Sequence, residues 1–90
     1  NFAVPKDQVE ERVRKLAHVL MKKNPHVLRA CKSGYHYVRD LPWDMAAEYL
    51  AAKSDQTKHR DPEQGDQKGM TQFLDEKSYR PGLGAYNRDK

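Results

Sequence analysis

The chain is poor in cysteine: Cys31 is the single thiol in 90 residues. One thiol excludes an internal disulfide framework and any zinc site built on several cysteines. Long apolar runs are missing as well. A helical membrane span needs about 18 predominantly apolar residues, and no stretch approaches that. No glycine-rich phosphate loop is present; Gly82 and Gly84 lie in a turn-like stretch near the C-terminus. Hydrophobic residues make up 37% of the chain, below the usual 45–50% or so of a globular domain. Charged residues make up 33% and the mean hydropathy is -1.09.

What is present is unevenly placed. Residues 1–53 hold 26 of the 33 hydrophobic residues and all of the net charge of +4. Residues 54–90 hold seven hydrophobic residues and equal numbers of acidic and basic ones. Ordering a residue costs about 1–2 kcal/mol in backbone entropy, and a fully buried apolar side chain returns about 1.5–3 kcal/mol. Seven such groups do not offset the ordering of 37 residues. The composition therefore divides the chain into a small helical domain, 1–53, and a polar extended tail, 54–90, that orders on a partner.

The pattern in 1–53 is helical. Pro5 suits a first helical position, and Val9, Val13, Leu16, Ala17 and Leu20 share one face. Acidic residues Asp7, Glu10 and Glu11 stand early and Lys22 and Lys23 late, as the helix dipole favours. This predicts a helix over 6–23. Asn24 followed by Pro25 ends it and caps the next, over 25–33, with Gly34 as a left-handed stop. Tyr35 to Val38 are β-formers without a pairing strand and read as an extended linker. A third helix is expected over 42–53, with Trp43, Ala46, Ala47 and Leu50 on its apolar face. In the tail, 70–77 has the makings of two helical turns capped by Thr71, and Pro81-Gly82 signals a turn. The expected fold class is all-α: a bundle of three short helices, then an irregular tail with one short helix.

Chemistry-bearing residue types are present without a site-forming pattern. His26, Cys31 and His36 lack the paired spacing of a zinc site. Cys31, His36 and Asp40 are the residue types of a thiol–imidazole–carboxylate set, but a lone cysteine on a helix stripe is ordinarily a small hydrophobe. Asp44 and Glu48 share a face near a helix start, where acidic residues are common. The reading is no catalytic residue, no metal and no cofactor.

Two groups of residues point to partners. Arg14, Lys15, Lys22, Lys23 and Arg29 give a basic face suited to an anionic partner. Phe73, Leu74, Tyr79, Leu83 and Tyr86 are isolated apolar anchors with Arg80 and Arg88 beside them, the pattern of a segment that gains structure on binding. The expected function is that of a soluble, non-catalytic accessory subunit of a large multi-protein complex. By analogy this is a mitochondrial respiratory-chain or ATP-synthase complex, on the matrix side. Asn1 in place of Met at the head of the chain fits a removed leader. The alternatives are a small ribosomal or other RNA-associated protein using the first helix, and a helix-turn-helix DNA-binding domain. Asp44 and Glu48 at the start of the third helix disfavour the last of these.

Overall fold

A computed structural model describes residues 2–80 and 86–88. Among the described residues the fold is all-helical, with four α-helices: α1 (Val9–Met21), α2 (Pro25–Val38), α3 (Trp43–Arg60) and α4 (Gly65–Met70). A 3₁₀ turn, Lys6–Gln8, leads into α1, and a π turn, Thr71–Asp75, continues α4. No helix among the described residues is long and apolar enough to cross a membrane.

α1 is supported by its own surface. Glu10 pairs with Arg14 at 2.8 Å and Glu11 with Lys15 at 2.6 Å, each one helical turn apart. Such exposed pairs contribute about 0.3–0.5 kcal/mol. α2 begins where the sequence places it. The Asn24 side chain accepts from the Val27 N–H at 2.9 Å, with Pro25 in the first helical position.

Two expectations are corrected here. Gly34 does not stop α2, and Tyr35 to Val38 are helical rather than an extended linker. The cause is packing. A Cβ on Gly34 would lie 3.1 Å from Leu50 Cδ2, so the missing side chain brings α2 close to α3, and that approach outweighs local propensity. α3 in turn runs past Lys53 to Arg60, through the residue at which the composition divides the chain. Its last turn carries Lys58, His59 and Arg60, favourable at a helix C-terminus.

α2 and α3 are joined by the short segment 39–42, which makes them antiparallel neighbours, and most of the inter-helix packing lies between them. No hydrophobic side chain among the described residues is buried. Trp43 is 88% exposed and Tyr35 75%. The radius of gyration is 15.6 Å, against about 12 Å for a compact chain of this length. The helices are thus an open layer with uncovered apolar faces.

The polypeptide after α3 is held by polar bonds. Thr71 does not cap a helix start; α4 begins earlier, at Gly65, after left-handed Gln64 (φ 54°), and the π turn follows without a break. Gln72, 3% exposed, grips residue 87 with both ends of its amide. Its Nε2 donates to Asn87 O at 2.8 Å, and its Oε1 accepts from Asn87 N at 3.0 Å. The Gln72→Ala variant should lose both bonds, about 0.5–1.5 kcal/mol each. Hydrogen exchange at the Asn87 amide should rise severalfold while exchange within α2 stays unchanged. Equal acceleration in both would show that Gln72 serves the whole fold rather than this clamp.

Candidate functional site: the α2–α3 hairpin and the Asn24 node

Two cavities line the α2–α3 hairpin. The more apolar, of about 460 Å³, is bounded by Val27, Ala30, Cys31, Gly34, Val38 and Leu50 among others. Free, exposed Cys31 opens toward it. The second, of about 530 Å³, is polar and basic: His26, Arg29 and Ser33 of α2 face Lys53, Gln56, Thr57 and Arg60 of α3. Positions 26, 29 and 33 share a face of one helix, as do 53, 56, 57 and 60 of the other. The antiparallel register sets these two stripes against each other.

The N-terminal end of α2 meets the end of α3 at a buried polar node. Asn24 is 4% exposed and Asp61 2%. Asn24 Nδ2 donates to Asp61 Oδ2 at 2.9 Å and to Glu63 Oε2 at 3.2 Å. Asp61 Oδ2 also accepts from the Gly65 N–H at 2.7 Å, and Oδ1 from the Glu63 N–H at 2.9 Å. Burial pushes the Asp61 carboxyl up. The Gly65 and Glu63 N–H groups, the Asn24 amide and nearby His26 outweigh burial and hold it below its ordinary value. Arg88 closes the node from the C-terminal side by a forked ion pair to Glu63, whose carboxyl that bond holds low.

A smaller cavity of about 240 Å³ lies beside the node, lined by Lys23, Val27, Met70, Phe73, Tyr79 and Tyr86 among others. Lys23 Nζ sits 4.8 Å from the Tyr79 ring centre, and burial lowers its pKa. Tyr79 and Tyr86 meet edge to face at 5.4 Å. The Tyr86 hydroxyl is buried without a hydrogen-bond partner among the described residues. Burial, and then the charges of Glu63 and Asp61, raise its pKa.

The residues expected to meet an anion are dispersed. Arg14 and Lys15 are engaged by glutamates on α1, Lys22 is exposed at the end of that helix, and Lys23 lies over Tyr79. Only Arg29 enters the basic cavity. Of the tail anchors, Phe73 and Leu74 are exposed, Tyr79 and Tyr86 touch each other, Arg80 is exposed and Arg88 is bound to Glu63. Leu83 and the Pro81-Gly82 turn lie outside the described residues. Sequence reasoning missed the other members of the basic cavity, Lys53 and Arg60 above all. Their signal was the seven-residue spacing along one helix, hidden because the helix was ended at residue 53. Among the described residues no three His, Cys, Asp or Glu side chains cluster closely enough to hold a metal ion.

No protein-family model matches the sequence. The chain is 49% identical over 88 residues to hydroxycinnamoyl-CoA hydratase-lyase of Pseudomonas fluorescens. The match takes in 98% of this chain and 32% of that protein, so the chain spans about a third of its relative's length. This similarity corrects the functional expectation. The relative is an enzyme, so the non-catalytic accessory subunit of a mitochondrial complex is set aside, and with it the RNA-associated and DNA-binding alternatives. The expectation rested on the polar composition of residues 54–90 and on isolated apolar anchors, features that a helical part of a larger enzyme shares.

Proposed function

We propose that this chain is a helical part of a hydratase-lyase acting on a hydroxycinnamoyl-CoA thioester. The observation that carries the reading is the 49% identity over nearly the whole chain to an enzyme of that name. The absence of a buried hydrophobic side chain among the described residues accords with it. Helices without a core of their own gain stability when a larger body covers their apolar faces.

The chemistry has two steps. Water adds across the side-chain double bond and leaves a hydroxyl on the β-carbon. The bond between the α- and β-carbons then breaks as the hydroxyl proton departs. The β-carbon leaves as an aromatic aldehyde, and the α-carbon takes up a proton to give acetyl-CoA. In this reading the chain shapes and supports the substrate pocket through the α2–α3 hairpin, and residues 54–80 and 86–88 pack against the same body.

The test is a comparison of thioesters with the purified protein that carries this chain. Absorbance of the conjugated 4-hydroxycinnamoyl thioester should fall with turnover, and a saturated acyl-CoA should remain untouched. Accumulation of the β-hydroxy thioester without aldehyde would restrict the activity to hydration. No loss of absorbance would overturn the proposal.

A further inference from the structure

Arg14, Lys15, Arg39, Lys58 and Arg88 are each paired with a carboxylate. The basic cavity between α2 and α3 is different. His26, Arg29, Lys53 and Arg60 converge on it, and no carboxylate is among its lining residues. Lys53 Nζ donates to Gln56 Oε1 at 3.0 Å and stands 5.7 Å from the Tyr49 ring centre. One acidic group, Asp61, interacts electrostatically with His26 at the edge of this set. Both oxygens of Asp61 are already committed to Asn24 and to the Gly65 and Glu63 N–H groups.

Like charges held together without compensation repel one another, and an anion between them relieves the repulsion. Two arginines offer planar forks of donors that match phosphate oxygens, and a lysine adds a point charge. Ser33, Gln56 and Thr57 supply neutral polar groups on the same walls. At about 530 Å³, the cavity falls in the range of roughly 300–1,000 Å³ typical of small-molecule sites. The C-terminal turn of α3 accounts for a cation at Arg60 through the helix dipole alone. It does not account for Arg29 and Lys53, which stand within the length of their helices.

We propose that the α2–α3 cavity is a phosphate-binding site in which Arg29, Lys53 and Arg60, with His26 beside them, hold the phosphate groups of a nucleotide-bearing ligand. Two sources supply that chemistry: the coenzyme A moiety of an acyl thioester, and a free nucleotide. Only the choice of coenzyme A as a probe rests on the hydratase-lyase reading.

The experiment is calorimetric titration of the protein carrying this chain with pyrophosphate, ADP, coenzyme A and pantetheine. The Arg29→Gln/Arg60→Gln variant is compared with wild type, and circular dichroism establishes that it is folded. Losing charged hydrogen bonds to a phosphate costs about 1.5–3 kcal/mol each, and 1.4 kcal/mol is about tenfold in affinity. The double variant should therefore bind pyrophosphate and ADP at least tenfold more weakly and pantetheine, which carries no phosphate, equally well. Coenzyme A weakened in parallel assigns the site to the thioester; coenzyme A unchanged assigns it to a free nucleotide. Arg29→Lys/Arg60→Lys, which keeps charge without the fork, should fall between and serves if the glutamine variant does not fold. Wild-type protein that binds no pyrophosphate, or variants that bind pyrophosphate as wild type does, overturn the proposal. Turnover of the thioester with unaltered phosphate binding in the variants would refute this site alone. Phosphate binding through these arginines without any turnover would refute the hydratase-lyase reading alone.

Discussion

Gly65→Ala should be the most damaging single methyl group in the described chain, destabilising the protein by about 3–5 kcal/mol, at the far end of point-mutant effects. The added Cβ would lie 2.5 Å from Asn24 Nδ2, 2.7 Å from Asn24 Cγ and 2.9 Å from Asp61 Oδ2. None of these atoms moves freely. Asn24 caps α2 through Val27 and bonds both Asp61 and Glu63, so displacement breaks several bonds together. Overpacking costs about 1–3 kcal/mol, and each buried polar group left unpaired adds about 1–3 kcal/mol. Gly69 is the control in the same short helix, since a Cβ added there would meet nothing within 4 Å. Gly69→Ala should be neutral or stabilising, by up to about 1 kcal/mol. Thermal unfolding of the two variants side by side checks the contrast. Equal melting temperatures would show that the node is not tightly packed.

The second large effect belongs to Asp61. All three of its bonds are accepted from N–H groups, so Asp61→Asn turns an amide NH₂ toward at least one donor. The expected loss at neutral pH is about 2–4 kcal/mol, from a broken charge-assisted bond and an unpaired buried donor. The carboxyl titrates below its ordinary value of 3.8 in the folded protein. The unfolded chain therefore takes up the proton first. The stabilisation from Asp61 is complete above that ordinary value and is lost as pH falls through the lower, folded one. Wild type and Asp61→Asn should thus differ most near neutrality and converge in acid. Urea unfolding across that interval measures it; a gap that stays constant would show that the charge of Asp61 does not stabilise the fold.

Local signals in the sequence located most helix starts. Asn24-Pro25 reads as a cap because side-chain acceptance and a fixed φ are properties of those two residues alone. The apolar face of α1 and the start of α3 after Pro42 are legible for the same reason. What escaped depended on partners distant in sequence. Gly34 looks like a stop until Leu50 is set against it, and Tyr35 to Val38 look extended until α2 is known to continue. Asn24 shows its capping role locally, but its bond to Asp61 spans 37 positions. The basic cavity required the register of α2 on α3, which brings Arg29 and Arg60 to one space. Function was least legible. A polar helical segment with uncovered apolar faces has the same composition whether a complex or the rest of an enzyme covers it, and only similarity to a known enzyme separates the two.

On the reading proposed above, this chain works within a hydratase-lyase. Its most direct test is product analysis after incubating the purified protein with 4-hydroxycinnamoyl-CoA in water. The expected products are 4-hydroxybenzaldehyde and acetyl-CoA in equal amounts, matched to the thioester consumed. Thioester recovered intact, or hydrolysed to the free acid and coenzyme A without aldehyde, would contradict it.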